Sequence, residues 1–149
     1  MEKRIIAIGN DHAGTDLKRR IIAKFKDNFE FIDCGTNSDE SVDYPDYSQK
    51  VCNLIQENKA ELGILVCGTG IGMSISANKF KGIRAGLCTN SLMAKLTRQH
   101  NNANVLCLGA RIIGQDLAFD CVKTFLETSF EGGRHQRRID KLEKVNQNS

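Results

Sequence analysis

Residues 62–72 read LGILVCGTGIG and decide the fold of this chain. The first part, Leu62–Cys67, is an unbroken apolar run of the length typical of a strand buried on both faces. Residues 68–72 then supply three glycines, which allow a sharp turn of the backbone. A helical pattern follows over residues 72–79. The stretch therefore predicts a buried strand, a tight turn and a helix in direct succession.

The same order extends outward in both directions from this unit. Runs rich in β-branched and apolar residues predict strands over residues 4–9, 29–34, 62–67, 83–88 and 104–109. Helices are predicted over residues 15–26, from residue 45 onward, and over 72–79, 92–100 and 115–129. Five consecutive β–α units favour an α/β fold with a five-stranded parallel sheet and helices on both faces.

No internal repeat or linker divides the chain, so residues 1–149 are expected to form a single domain. Its charged C-terminal arm begins at about residue 131. Ile139, Leu142 and Val145 could line one side of a short last helix there.

Composition excludes several classes of protein. The net charge is +3, and the basic residues cluster only near residues 134–138, which is too local for a nucleic-acid footprint. No run approaches the ~18 apolar residues of a membrane span. The N-terminus shows no apolar signal-peptide region, so we expect no export and no membrane partner.

The six cysteines contain no C-x-x-C pair, and no close pairs of cysteine or histidine occur in the sequence. We therefore expect reduced thiols, a cytoplasmic location and no zinc site.

Chemistry is expected at the carboxyl ends of the strands, because ligands bind there in open parallel sheets. Asp11 and His12 follow the first predicted strand, Tyr44 lies beyond the second, and Arg111 follows the fifth. Asp11 and His12 could equally cap the coming helix. Two ionisable groups beside an apolar strand nevertheless favour a role in a ligand-binding site.

The glycine turn over residues 68–72 has two interpretations. It could be a plain strand-to-helix turn, or it could bind an anion through the free N–H groups of the helix start. It lacks the Gly-Lys-Ser/Thr of a phosphate-binding loop and the spacing of a dinucleotide fingerprint.

Cys67 lies immediately before this turn. A cysteine at a strand end is usually a small core residue, but the positive end of a helix dipole favours a thiolate. A thiolate there could act as a nucleophile or as a base. A cysteine-dependent phosphatase would need an arginine where Met73 stands, so that class is excluded.

Two further segments have both structural and functional interpretations. His100 and Asn101 could simply end a helix, since imidazolium suits the negative helix end. The segment GGRHQRR, residues 132–138, could be a solvated basic run. Arg134 and Arg138 would share one helical face, however, and arginines can bind a phosphate with two hydrogen bonds.

Together these motifs resemble the ribose-5-phosphate isomerase B group, which includes the allose-6-phosphate and galactose-6-phosphate isomerases. The resemblance runs almost end to end. It rests on IIAIGNDHAG, DYPDYS, CGTGIGMSISANKFKGIRA, RQHNNANVLCLGAR and EGGRHQRR, in that order.

The resemblance implies a three-layer, Rossmann-like α/β/α fold and an isomerisation of ribose 5-phosphate to ribulose 5-phosphate without metal or organic cofactor. The reaction belongs to the pentose phosphate pathway. It also implies a homodimer, or a pair of such dimers, with the pocket at the dimer interface. The substrate could instead be allose 6-phosphate or galactose 6-phosphate, and a non-catalytic sugar-phosphate sensor is a further alternative.

By motif position, Cys67 is expected to be the base and His100 the acid that opens the sugar ring. No acidic residue occurs over residues 68–78. The chain therefore resembles the family members that use a cysteine as the base. The residues expected to bind substrate are Asp11, His12, Tyr44, Gly68, Thr69, Gly70, Ile71, Gly72, Asn101, Arg111, Arg134 and Arg138.

Overall fold

Five strands alternate with helices along the chain in the computed structural model, which describes residues 2–145. The strands are β1 (Arg4–Asn10), β2 (Phe29–Asp33), β3 (Leu62–Cys67), β4 (Ala85–Leu87) and β5 (Val105–Gly109). The helices are α1 (Thr15–Phe25), α2 (Tyr44–Gln56), α3 (Ile71–Ala77), α4 (Ser91–Asn101), α5 (Gln115–Glu127) and α6 (Arg134–Val145), with a 3-10 turn over His12–Gly14. Within residues 2–145, no helix has the length and apolar character that crossing a membrane requires.

The five strands form one parallel sheet in the order β2-β1-β3-β5-β4. Strand β3, the apolar run before the glycine turn, lies at the centre. Its Ile64 is paired with Ile8 of β1 and with Leu106 of β5. All six of its residues are buried. The predicted α/β, Rossmann-like fold with a parallel sheet is confirmed.

Each face of the sheet has its own apolar core, because successive side chains of a strand point to opposite faces. Alternate residues of β1, β3 and β5 pack with α1, α4 and α5 on one face. The residues between them, including Cys67 and Cys107, pack with α2 and α3 on the other face. The result is three layers, with Cys67 on the side covered by α2 and α3.

Where element ends differ from the predictions, they differ by one or two residues. Strand β4 differs at both ends: it is predicted over residues 83–88 and observed as Ala85–Leu87. The backbone at Arg84 instead forms two hydrogen bonds with Asn104. The Arg84 N–H donates to Asn104 Oδ1, and the Arg84 carbonyl accepts from the Asn104 N–H. Because Arg84 is paired with Asn104 in this way, the edge strand starts only at Ala85. Helix α4 is capped by Asn90, whose Oδ1 accepts from the Met93 N–H at 2.9 Å.

A buried lysine fixes the loop between β2 and α2. The Lys18 side chain is fully buried, and its Nζ donates to the Thr36 carbonyl at 2.8 Å and to Asn37 Oδ1 at 2.6 Å. It also forms an ion pair with Asp33 at 3.1 Å. Burial of an ammonium group is tolerated only with such a full set of partners. The lysine thereby positions the start of the loop that leads from β2 to the candidate site.

Candidate functional site

The loops at the carboxyl edges of β3 and β5 are joined by backbone hydrogen bonds. The Ala110 N–H donates to the Cys67 carbonyl and the Arg111 N–H donates to the Gly68 carbonyl, both at 2.9 Å. At the neighbouring strand, the Asp11 N–H donates to the Val66 carbonyl at 3.1 Å. Three strand ends are therefore held in fixed relation around Cys67.

The Cys67 thiol lies inside the glycine turn. The residue is 5% exposed, and its Sγ accepts a hydrogen bond from the Gly70 N–H at 3.2 Å. The next N–H, that of Ile71, donates to Thr69 Oγ1 at 3.1 Å. A backbone N–H directed at sulfur stabilises negative charge on it. The turn thus directs one backbone N–H at the Cys67 sulfur.

Four of the other five cysteines are buried in the core, and Cys34 is half-buried. Burial raises the pKa of Cys52 and Cys121 to about 11 and that of Cys88 to about 12. These thiols stay protonated near neutral pH. None of the six cysteines, all of which lie within the described residues, forms a disulfide.

Gly70 is required by the shape of the turn, and we expect Gly70→Ala to destabilise the protein by about 2–4 kcal/mol. Its φ is +80°, and an added Cβ would lie 2.5 Å from Leu87 Cδ1 and 2.9 Å from the Leu108 carbonyl carbon. Urea unfolding measures the loss. The matched control is Gly82→Ala, because Gly82 has φ +77° with nothing within 4 Å of its added Cβ. Equal destabilisation by the two substitutions would contradict this packing argument.

Asp11 and His12 stand where the first strand ends. Asp11 is 8% exposed, and its Oδ1 accepts from the Ala13 N–H at 3.0 Å, so it does cap the 3-10 turn. His12 Nδ1 accepts from the Val42 N–H at 3.2 Å. That contact leaves Nε2 as the protonated nitrogen of the neutral ring. The loop after β2 therefore fixes the orientation of the His12 ring.

Tyr44 and Arg111 flank the glycine turn. An added Cβ at Gly72 would lie 2.9 Å from the Tyr44 ring, so the ring packs directly on that glycine. An added Cβ at Gly68 would lie 3.3 Å from Arg111 Nη1, which places the guanidinium over Gly68. A cation and a phenol thus adjoin the glycine backbone. We call Cys67, Asp11, His12, Tyr44, residues 68–72 and Arg111 the cysteine group.

The remaining predicted residues lie elsewhere. Helix α4 starts after β4 at the carboxyl edge of the sheet and runs back to the start of β5. Its eleven residues therefore place His100 and Asn101 about 15 Å from the carboxyl edge. The Asn101 carbonyl accepts from Arg84 Nε at 3.1 Å, near the amino ends of β4 and β5. Arg134 and Arg138 are on α6, which contacts α4. We call His100, Asn101, Arg134 and Arg138 the histidine group.

Within this second group, His100 stacks on His135. Their ring centroids are 4.4 Å apart with an angle of 17° between the planes. His135 is 4% exposed, and burial lowers its pKa, as do the nearby His100, Arg134 and Arg138. Glu131 lies next to it, with its Oε2 3.7 Å from His135 Nε2. The stacking of His135 on His100 depends on how α6 packs against α4.

The structure therefore divides the expected site. It brings the cysteine group together at the carboxyl edge, as the topology rule predicts. It places the histidine group near the opposite edge of the same chain. No single chain brings Cys67 next to His100.

Comparison with known proteins gives consistent results. A family model described as Ribose/Galactose Isomerase matches residues 6–142. The ribose-5-phosphate isomerase B of Escherichia coli is 46% identical over 143 residues, which cover 95% of this chain and 96% of that protein. The structure of ribose-5-phosphate isomerase B from Clostridium thermocellum matches with a TM-score of 0.95 at 49% identity, covering 97% and 98% of the two chains. That from Thermotoga maritima matches with a TM-score of 0.94 at 53% identity, covering 97% and 100%.

Proposed function

The chain belongs to the ribose/galactose isomerase family, and on that premise we propose that it interconverts ribose 5-phosphate and ribulose 5-phosphate. The reaction is an aldose–ketose isomerisation of the pentose phosphate pathway. The observation that supports it best is the Cys67 sulfur held by the Gly70 N–H at 3.2 Å inside the glycine turn. The relatives are named as isomerases, so the alternative of a non-catalytic sensor finds no support.

Cys67 is the base in this proposal. Isomerisation needs a base that takes the proton from C2 of the open-chain sugar and returns it to C1. A thiolate at the glycine turn can do this without a metal ion. Removal of the proton produces an enediolate intermediate, and the negative charge of this intermediate must also be stabilised.

Backbone N–H groups of residues 68–72 are proposed to hold the enediolate oxygens. Each such donor is typically worth about 3 kcal/mol of barrier. Two of these N–H groups already bind Cys67 Sγ and Thr69 Oγ1, so we assign the oxyanion to the remaining N–H groups of the turn. Arg111, over Gly68, adds positive charge on the same side.

A second copy of the chain is proposed to supply the histidine group. His100 would open the furanose ring by proton transfer, Asn101 would contact the sugar, and Arg134 with Arg138 would bind the phosphate. Binding of the phosphate would position C1 and C2 at Cys67. Because His100 lies about 15 Å along α4 from the carboxyl edge, only another subunit can place it there.

Exposed apolar side chains support a homodimer. On α3, Ile71 is 51% and Ile75 is 58% exposed, and on α4, Leu92 is 62% exposed. Met93 and Leu96 are also exposed on α4. Apolar residues grouped on neighbouring elements are typical of a protein–protein interface. Burial of this surface would set the two subunits side by side along α3 and α4, and such dimers could pair further. We place the enzyme in the cytoplasm, consistent with its six free thiols.

An isomerase assay on the purified chain tests the function. We expect turnover of ribose 5-phosphate that EDTA does not reduce, because the proposed base is a thiolate. Allose 6-phosphate and galactose 6-phosphate are the comparison substrates, and a markedly lower kcat/KM is expected for both. Binding of ribose 5-phosphate without conversion would overturn the proposal. A preference for either hexose phosphate would change the substrate and keep the reaction class.

A further inference from the structure

Three side chains from separate parts of the chain meet beside the end of α4. His100, Glu131 and His135 each offer one ligand atom, and these atoms all lie within 4.8 Å of one another. His100 is in the last turn of α4, Glu131 is in the connection between α5 and α6, and His135 is in the first turn of α6. We call these three residues the His–Glu–His cluster.

The backbone holds the cluster in place. The Glu131 N–H donates to the Gln99 carbonyl at 3.1 Å, which fixes the connection against the end of α4. The His135 N–H donates to the Gly132 carbonyl at 3.2 Å, which fixes the start of α6. The backbone that carries the three side chains is therefore anchored, and only side-chain rotation is needed for them to act together.

One nitrogen of the cluster has no partner. The His135 side chain is 6% exposed, and its Nε2 makes no hydrogen bond to any of residues 2–145. The nearest carboxylate oxygen, Glu131 Oε2, is 3.7 Å away, beyond hydrogen-bond distance. Buried polar atoms in folded proteins nearly always have a partner, so this nitrogen calls for a ligand.

The chemistry of the three side chains selects a transition-metal ion. Two imidazoles and one carboxylate are a common protein ligand set for Zn²⁺, with the fourth position left to water. Mg²⁺ and Ca²⁺ prefer oxygen ligands alone. The imidazole rings are stacked, so a metal ion requires His100, which is only half-buried, to turn toward the other two. Arg134 and Arg138 on the same helix oppose the ion, and the Glu131 carboxylate offsets part of that charge.

We propose that the His–Glu–His cluster is a Zn²⁺ site whose occupation inhibits the enzyme. The inhibition rests on the proposed function of His100, because a nitrogen that donates its lone pair to Zn²⁺ cannot carry a proton. Metal binding also turns the ring away from the position that serves the sugar. The ion is a regulator here, and the isomerisation itself runs without it.

Two measurements on the full chain test this site. Equilibrium dialysis against Zn²⁺ gives the number of ions bound, and turnover of ribose 5-phosphate over the same Zn²⁺ concentrations gives inhibition. The variant is Glu131→Gln, which removes the anionic ligand from a half-exposed side chain. The control is Glu127→Gln, which makes the same charge change at an exposed residue of α5 outside the cluster.

We expect the wild type and Glu127→Gln to bind Zn²⁺ with matching stoichiometry and to lose turnover, which EDTA restores. Glu131→Gln should keep its turnover without zinc and need at least about tenfold more Zn²⁺ for binding and for inhibition. Equal zinc sensitivity of all three proteins would assign the effect to cysteine thiols and overturn the site. If the chain shows no turnover at all, the proposed function fails, and dialysis of the variants still decides the metal site.

Discussion

Cys67→Ala is expected to lower kcat for ribose 5-phosphate by about 10² to 10⁴-fold, the usual contribution of a general base. The substitution removes the only proton acceptor that the glycine turn offers to the sugar in this account. In the proposed site the phosphate and sugar contacts come from other residues, so substrate affinity should stay close to that of the wild type. Alanine is small enough to leave the Gly70 turn undisturbed.

Steady-state kinetics and calorimetric binding of ribose 5-phosphate separate these two effects. The control is Cys34→Ala, since Cys34 is half-buried at the end of β2, away from the turn. It should retain wild-type turnover. Turnover of Cys67→Ala within tenfold of wild type would show that another group is the base.

The fold was predictable because each of its elements has a local signal. The apolar run over Leu62–Cys67 marks a strand buried on both faces, and the glycines after it mark the turn to α3. Strand ends were less predictable. The start of β4 is decided by the pairing of Arg84 with Asn104, a contact between residues 20 positions apart in the sequence.

The cysteine group was predictable for a topological reason. Parallel strands end at one edge, so side chains that follow β1, β3 and β5 must meet there. The roles assigned to these residues came from the family resemblance, and the structure adds the hydrogen bond from Gly70 to the Cys67 sulfur.

The separation of the histidine group could have been noticed from the direction of α4. A helix that connects two parallel strands runs opposite to them, so residues at its end lie far from the carboxyl edge. The meeting of His100 with His135 was not predictable, because it depends on how α6 packs on α4. The fold also brings His100 and His135 together from distant parts of the sequence, which the spacing of histidines along the chain does not reveal.

Mixing two inactive variants is expected to restore activity. If each site takes Cys67 from one subunit and His100 from the other, a hybrid of Cys67→Ala and His100→Ala has one fully intact site and one doubly altered site. Random pairing makes half of the dimers hybrids, so an equal mixture should recover about a quarter of wild-type turnover. Each variant alone has only damaged sites and should stay nearly inactive.

Measuring that recovery tests directly whether two copies of the chain build one isomerase site. The two variants are co-refolded in equal amounts, and turnover of ribose 5-phosphate is compared with that of each variant refolded alone. As a control, Cys67→Ala is co-refolded with the double variant, which provides no intact Cys67 and should recover nothing. We expect about a quarter of wild-type turnover for the first mixture. Turnover no higher than the mean of the two separate variants would contradict it.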